Sequence, residues 1–204
     1  MSLTQDLVLR NFFSKRIVLG KEHLPKSGAL ILAPTHRSRW DALMLTMAAG
    51  RRVTNRDCRF MVTRSEMEGI QGWFLNRLGC FSIDKDRPSL VSLRYSIDLL
   101  IDGQQLVVFP EGRICRNSRP KRLEQGIARI AQLAFSKGIE INILPIGLAY
   151  SDQIPKPFGV AAICFEKPLK IIKNGKKEAL EFNSILLKRM YSAEESALRA
   201  VGRK

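Results

Sequence analysis

The sequence predicts an α/β fold: a single αβα layered domain with a largely parallel central sheet flanked by helices, plus an N-terminal amphipathic helix. Three observations predict it. Segments of strand and helix pattern alternate along the chain, the order that builds a parallel sheet through crossover helices. Leu106-Val107-Val108-Phe109 is a short continuous apolar run, as a strand buried on both faces requires. At 204 residues and 45% hydrophobic composition, the chain has the length of one domain and enough apolar side chains for a core.

Within residues 1–20, Leu3, Leu7, Val8, Phe12, Phe13 and Ile17 recur near helical spacing, with Arg10, Lys15 and Arg16 between them. This predicts an amphipathic helix, packed on its own domain or lying on a membrane surface. The domain proper is expected over 21–204. Leu24-Pro25-Lys26-Ser27-Gly28 reads as a turn and 29–33 as a buried strand. Asp41 to Ala49 reads as a helix with an acid in its first turn, where the helix dipole favours it. Phe60-Met61-Val62 is strand-like. Ser65-Glu66-Met67-Glu68 has the spacing of a capping box and opens a helix to about Leu78. Cys80 to Ile83 is a short strand, and Pro88 opens a helix carrying Leu90, Leu93, Ile97 and Leu100. After the run at 106–109, Leu123 to Lys137 is helical and Gly138 ends it. Ile141 to Tyr150 and Val160 to Phe165 are strands. Lys177 to Val201 forms a last helix or two, with a break near Ser192. His36, Lys85 and Glu111 each follow a strand, and sites in such sheets gather beyond the carboxyl ends of the strands.

A net charge of +15 points to a polyanionic partner: nucleic acid, anionic lipid, an acidic protein or a phosphorylated substrate. Aromatics are only 7% and no nucleic-acid-reading module is present, which disfavours a basic nucleic-acid-binding protein. The apolar runs fall far short of the ~18–20 residues that span a bilayer, so no transmembrane helix is expected, and the N-terminus lacks the pattern of a signal peptide. Cys58, Cys80, Cys115 and Cys164 form no C-x-x-C pair and read as reduced thiols in a cytosolic setting. There is no Gly-rich dinucleotide motif and no P-loop.

Chemistry concentrates in two segments. Thr35-His36-Arg37-Ser38-Arg39-Trp40-Asp41 places a histidine and an aspartate five positions apart. On one continuous helix they would lie about 140° apart. With His36 on a loop and Asp41 in the first helical turn, the loop can fold the imidazole back onto the carboxylate, leaving the other ring nitrogen as a base. On spacing alone, a loop histidine beside a capping aspartate is the plainer account. The second segment, Phe109-Pro110-Glu111-Gly112-Arg113, follows the apolar strand, and Gly112 permits close backbone approach to an anion. From Arg113 to Arg122 come five cations and no acid. Such a cluster is usually a solvated face, but beside a Gly turn it makes a phosphate site plausible, since guanidinium grips phosphate bidentately. Cys115, next to this basic loop, is a weaker candidate nucleophile. His23 reads as an exposed loop residue.

Together these segments resemble the glycerolipid acyltransferase family, which contains 1-acylglycerol-3-phosphate acyltransferases. Thr35-His36 with Asp41 matches its Asn/Thr-His-x4-Asp motif. Gly79-Cys80-Phe81-Ser82-Ile83-Asp84-Lys85 loosely matches the second, Phe109-Pro110-Glu111-Gly112 the third, and Leu144-Pro145-Ile146 the fourth, in the family's order. Lys85 stands where the second motif usually has arginine, and Arg113-Ile114-Cys115 replaces Thr-Arg-Ser in the third. The resemblance implies transfer of a fatty acyl group from an acyl thioester, acyl-CoA or acyl carrier protein, to the hydroxyl of a lysophospholipid, most simply lysophosphatidic acid. It implies no metal or other cofactor, His36 as base, Asp41 as its orienting acid, and Glu111 with Gly112 shaping the acceptor site. Lys85, Arg113 and Arg116 would hold the phosphate. The displaced arginine keeps a different lyso-lipid, such as a lyso-aminolipid, open as acceptor. Lipid substrates imply peripheral attachment to an anionic membrane surface, on its cytoplasmic face.

Overall fold

The computed structural model describes residues 2–77, 79–83, 90–116, 119–171 and 173–203. Its seven strands form one sheet: β1 (Phe13–Leu19), β2 (Ala29–Pro34), β3 (Cys58–Thr63), β4 (Phe81–Ile83), β5 (Gln105–Val107), β6 (Ile141–Tyr150) and β7 (Gly159–Phe165), in the order β1-β7-β6-β2-β5-β3-β4. All neighbouring pairs run parallel except β6 with β7. The sheet is therefore the largely parallel one that the alternating pattern predicts.

Helices cover both faces, and the strands alternate between the two cores they create. On β2, Leu30 and Leu32 enter one core, Ile31 and Ala33 the other. The first core is closed by α1 (Ser2–Phe12) and α2 (Asp41–Ala49), through Leu9, Met44 and Leu45. The second is closed by α5 (Leu90–Ile101), α6 (Gly126–Ser136) and α7 (Lys176–Ala200), through Ile97, Ile127, Ile130, Leu186 and Met190. Two short helices, α3 (Arg51–Thr54) and α4 (Gly69–Arg77), complete the order.

Three expectations change at the element level. The N-terminal helix stops at Phe12, and residues 13–19 become edge strand β1, paired with β7 from Phe13 to Leu19. Ile17 and Val18 are β-branched and suit a strand, and the exposed edge of β7 supplies backbone partners that a helix would leave unused. The capping box at Ser65 does not form: the Ser65 hydroxyl lies 3.3 Å from that of Thr63. A 3-10 turn at Arg64–Met67 is followed by Glu68, and α4 starts at Gly69, whose backbone is left-handed (φ 60°). The C-terminal segment is one continuous helix of 25 residues with no break at Ser192. Among the described residues, no helix is long and apolar enough to cross a membrane.

Candidate active site

The site is built where β2 ends. Thr35 is buried, its backbone N–H bonds to Ile146 O at 2.9 Å, and its hydroxyl accepts from Leu148 N–H at 2.9 Å. The side chain thus extends the strand pairing by one residue and fixes where the chain leaves the sheet. The loop then turns back on Asp41, the first residue of α2. One carboxylate oxygen, Oδ2, accepts the backbone N–H of Arg37 at 2.6 Å and of Ser38 at 2.8 Å. That fold brings the imidazole round, and His36 Nδ1 lies 2.9 Å from the same oxygen. The Tyr150 hydroxyl donates to Oδ1 at 2.5 Å. Asp41 is 0% exposed, and four donors satisfy its carboxylate, so the buried acid is fully partnered. Burial, and then the neighbouring Asp41, push the Tyr150 phenol well above its ordinary value, which keeps it protonated as a donor.

The turn after β5 supplies the second wall. Phe109 stacks on the His36 ring, with centroids 4.0 Å apart and planes at 25°. Gly112 sits at φ 67° and its N–H closes the turn on Phe109 O at 3.1 Å. Glu111 points inward, away from solvent. Its Oε2 accepts His36 N–H at 3.0 Å and Arg37 Nη1 at 2.6 Å, and its Oε1 accepts Arg37 Nη2 at 3.0 Å. Arg37 is also bonded through Nε to Glu194 of α7. Burial alone would lower the Arg37 guanidinium. The hydrogen bonds and charges of Glu194 and Glu111 outweigh it and leave the group above its ordinary value.

His36 opens on a cavity of about 1130 Å³. Leu43, Met47, Phe60, Val62 and Leu75 give it an apolar lining, while Arg39, Gly112, Arg113 and Arg129 bring backbone and positive charge to its wall. Arg113 is exposed there, close in the chain to the Gly112 turn. Arg116 is elsewhere. It lines a smaller hollow of about 190 Å³ with Arg119, Asp152 and Arg203. Lys85 lies outside the described residues. His36, Gly112 and Arg113 therefore share one cavity, Asp41 and Glu111 stand buried behind it, and Arg116 does not reach it.

Three of the cysteines border this arrangement. Cys115 lies against the smaller hollow, its N–H donating to His36 O at 2.8 Å and its thiol to Arg113 O at 3.6 Å. Cys58 and Cys80 touch the main cavity, and burial pushes their thiols up to about 12 and about 11. His23 is half-buried rather than exposed, its Nδ1 lying 2.9 Å from Phe165 O.

Sequence reasoning passed over four residues of the site. Arg37 carries a signal in hindsight, a cation beside His36 in a loop predicted to close inward. Arg39, in the same loop, lines the cavity. Tyr150 stands at the end of a predicted strand. Glu194 has no local signal, because only the docking of α7 brings it 157 positions back to Arg37.

Residues 15–149 match the family model described as Acyltransferase. The chain is 28% identical over 140 residues to the 1-acyl-sn-glycerol-3-phosphate acyltransferase of Streptococcus pneumoniae, covering 63% of this chain and 48% of that protein. It is 28% identical over 117 residues to the Bacillus subtilis protein of the same name, covering 57% and 56%. The chain thus spans about half the length of these curated relatives. Its fold matches that of the crystallised 1-acyl-sn-glycerophosphate acyltransferase of Thermotoga maritima with a TM-score of 0.65 at 17% identity, covering 96% of this chain and 77% of that one. The family match takes in the His36 loop, both cavity walls and the strands that carry them, and the chain belongs to the acyltransferase family.

Proposed function

We propose that the protein moves a fatty acyl group from an acyl thioester, acyl-CoA or acyl carrier protein, to the free hydroxyl of lysophosphatidic acid, yielding phosphatidic acid. The observation that carries this reading is the His36–Asp41 contact of 2.9 Å at the wall of an apolar cavity edged by arginines. With Nδ1–H held by Asp41, the His36 Nε2 lone pair is the base. The acceptor oxygen attacks the thioester carbonyl carbon while its proton passes to Nε2. The tetrahedral intermediate collapses, the C–S bond breaks, and the imidazolium returns the proton to the leaving thiolate. An ester and a free thiol result, and the balance needs no metal or redox cofactor because the thioester is already activated. General-base catalysis of this kind contributes roughly 10²–10⁴-fold.

The two lipid substrates place two demands on the cavity. Leu43, Met47 and Phe60 offer apolar surface to the acyl chain, and Arg113 with Arg39 offers guanidinium to the acceptor phosphate. Lys85 is carried forward as a phosphate ligand from the sequence motif. Glu111 acts indirectly in this scheme, since both its oxygens are engaged by Arg37 and the His36 N–H. Attachment is to the cytoplasmic face of an anionic membrane, through basic surface and the half-exposed Leu7 and Val8 of α1.

The test is direct. Purified protein is given lysophosphatidic acid or the matching monoacylglycerol, with acyl-CoA and with acyl carrier protein donors, and products are read by mass spectrometry. Phosphatidic acid formed at least tenfold faster than diacylglycerol supports the reading. Equal rates would remove the phosphate-binding roles of Arg113 and Arg39 and favour a lyso-lipid without phosphate.

A further inference from the structure

Helix α7 begins well beyond residue 149, where the family match ends, yet it reaches the His36 loop. Glu194 is 4% exposed on that helix. One of its carboxylate oxygens accepts from Arg37 Nε and the other from Arg119 Nε, the latter at 2.7 Å. The remaining nitrogens of Arg37 clasp Glu111, and Arg37 Nη1 also donates to His36 O at 3.0 Å. Glu111 in turn accepts His36 N–H. The peptide groups on either side of the His36 α-carbon are therefore gripped by one buried ion cluster, and the far anchor of that cluster is Glu194.

A second loop is tied to the same turn of α7. Tyr191 donates its hydroxyl to Pro120 O at 2.9 Å, and the Arg119 guanidinium lies 4.8 Å from the Tyr191 ring centroid. The register of α7 on the sheet is itself fixed at this level. A Cβ added to Gly147 of β6 would overlap the backbone of Ala193 and Glu194, so glycine there permits the close approach that delivers the carboxylate.

We propose that Glu194 is a positioning residue for the reaction: acting through Arg37 and Glu111, it sets the orientation of the His36 backbone and hence of the imidazole. It touches neither substrate nor the ring. A guanidinium clasped by carboxylates on two sides has one low-energy placement, whereas removing one carboxylate leaves a buried charge to seek other partners. A displacement of about 1 Å at a reacting group is enough to cost turnover heavily.

The kinetic arm rests on the acyl-transfer reading; a spectroscopic arm does not. Glu194→Ala, Glu194→Asp and Glu194→Gln are compared with wild type and with Glu181→Gln, an exposed site on the same helix. The expected result is a kcat at least tenfold lower for Ala, Asp and Gln with KM for thioester within about twofold, and no effect at Glu181. The imidazole Nδ1–H resonance of His36, easily assigned because the chain has only two histidines, should shift or broaden in the Ala and Asp variants. If folded Ala or Asp variants show lower melting temperatures but unchanged kcat and an unchanged His36 resonance, the residue is merely structural and the proposal is overturned. Should the Ala variant not fold, the Asp variant decides by the same criteria. If wild type transfers no acyl group, the acyl-transfer reading fails, and the resonance alone decides the positioning role.

Discussion

At the scale of single residues, the site is an arrangement of donors around two buried carboxylates. Asp41 Oδ2 is shared by His36 Nδ1 and two backbone N–H groups, so in Asp41→Asn the amide oxygen takes that place and the loop stays nearly folded, but the negative charge that stabilises an imidazolium is lost. We expect turnover of Asp41→Asn to fall by roughly 10²-fold or more, with the melting temperature as the control for folding. Tyr150→Phe leaves Asp41 Oδ1 short of its donor in a buried place, at a cost of about 1–3 kcal/mol read by denaturant titration. Tyr150 also gives a pH dependence with a definite sign. The folded state keeps the phenol proton where the unfolded chain, at its value of 10.0, releases it. Its contribution is present below that pH and is lost as pH rises past it, and Tyr150→Phe should weaken this alkaline limb in thermal melts between pH 8 and 11. Cys58 and Cys80, pushed up to about 12 and about 11 by burial, should be alkylated by iodoacetamide at pH 7.5 far more slowly than a free thiol. Fast labelling of either would show that the cavity is wetter than this packing allows.

At the scale of elements, the strands were legible in the sequence wherever a short apolar run was flanked by turn residues, as at 29–33, 106–109 and 141–150. The His36 loop was legible as a candidate because one of two histidines faced an acid at short range, though spacing alone could not place the ring. Where the reading and the structure differ, a tertiary partner decided the matter. Residues 13–19 have helical spacing of apolar positions, but the open edge of β7 draws them into a strand. Glu194 is invisible in sequence for the same reason, since its role exists only through the packing of α7 on β6. Gly147 marks that packing. Gly147→Ala should push α7 off the sheet, lowering stability by about 1–3 kcal/mol or more as overpacking does, with a matching loss of acyl transfer. Circular dichroism melts beside rate measurements would separate the two losses.

At the scale of the whole molecule, the sheet carries the His36 loop and the Glu111 turn on neighbouring parallel strands, β2 and β5, so both follow the carboxyl ends of their strands on the same side of the sheet. The whole chain carries a net charge of +15, which favours anionic surfaces. Binding to vesicles containing anionic phospholipid should be strong at low ionic strength and fall steeply as salt rises, whereas zwitterionic vesicles should bind weakly at every salt concentration. Co-sedimentation measures both. The proposed reaction turns on one imidazole as the base, and His36→Ala tests that proposal most directly. With lysophosphatidic acid and an acyl thioester, the folded variant should form phosphatidic acid at least about 10²-fold more slowly than wild type. Turnover near the wild-type rate in a properly folded His36→Ala protein would contradict the account.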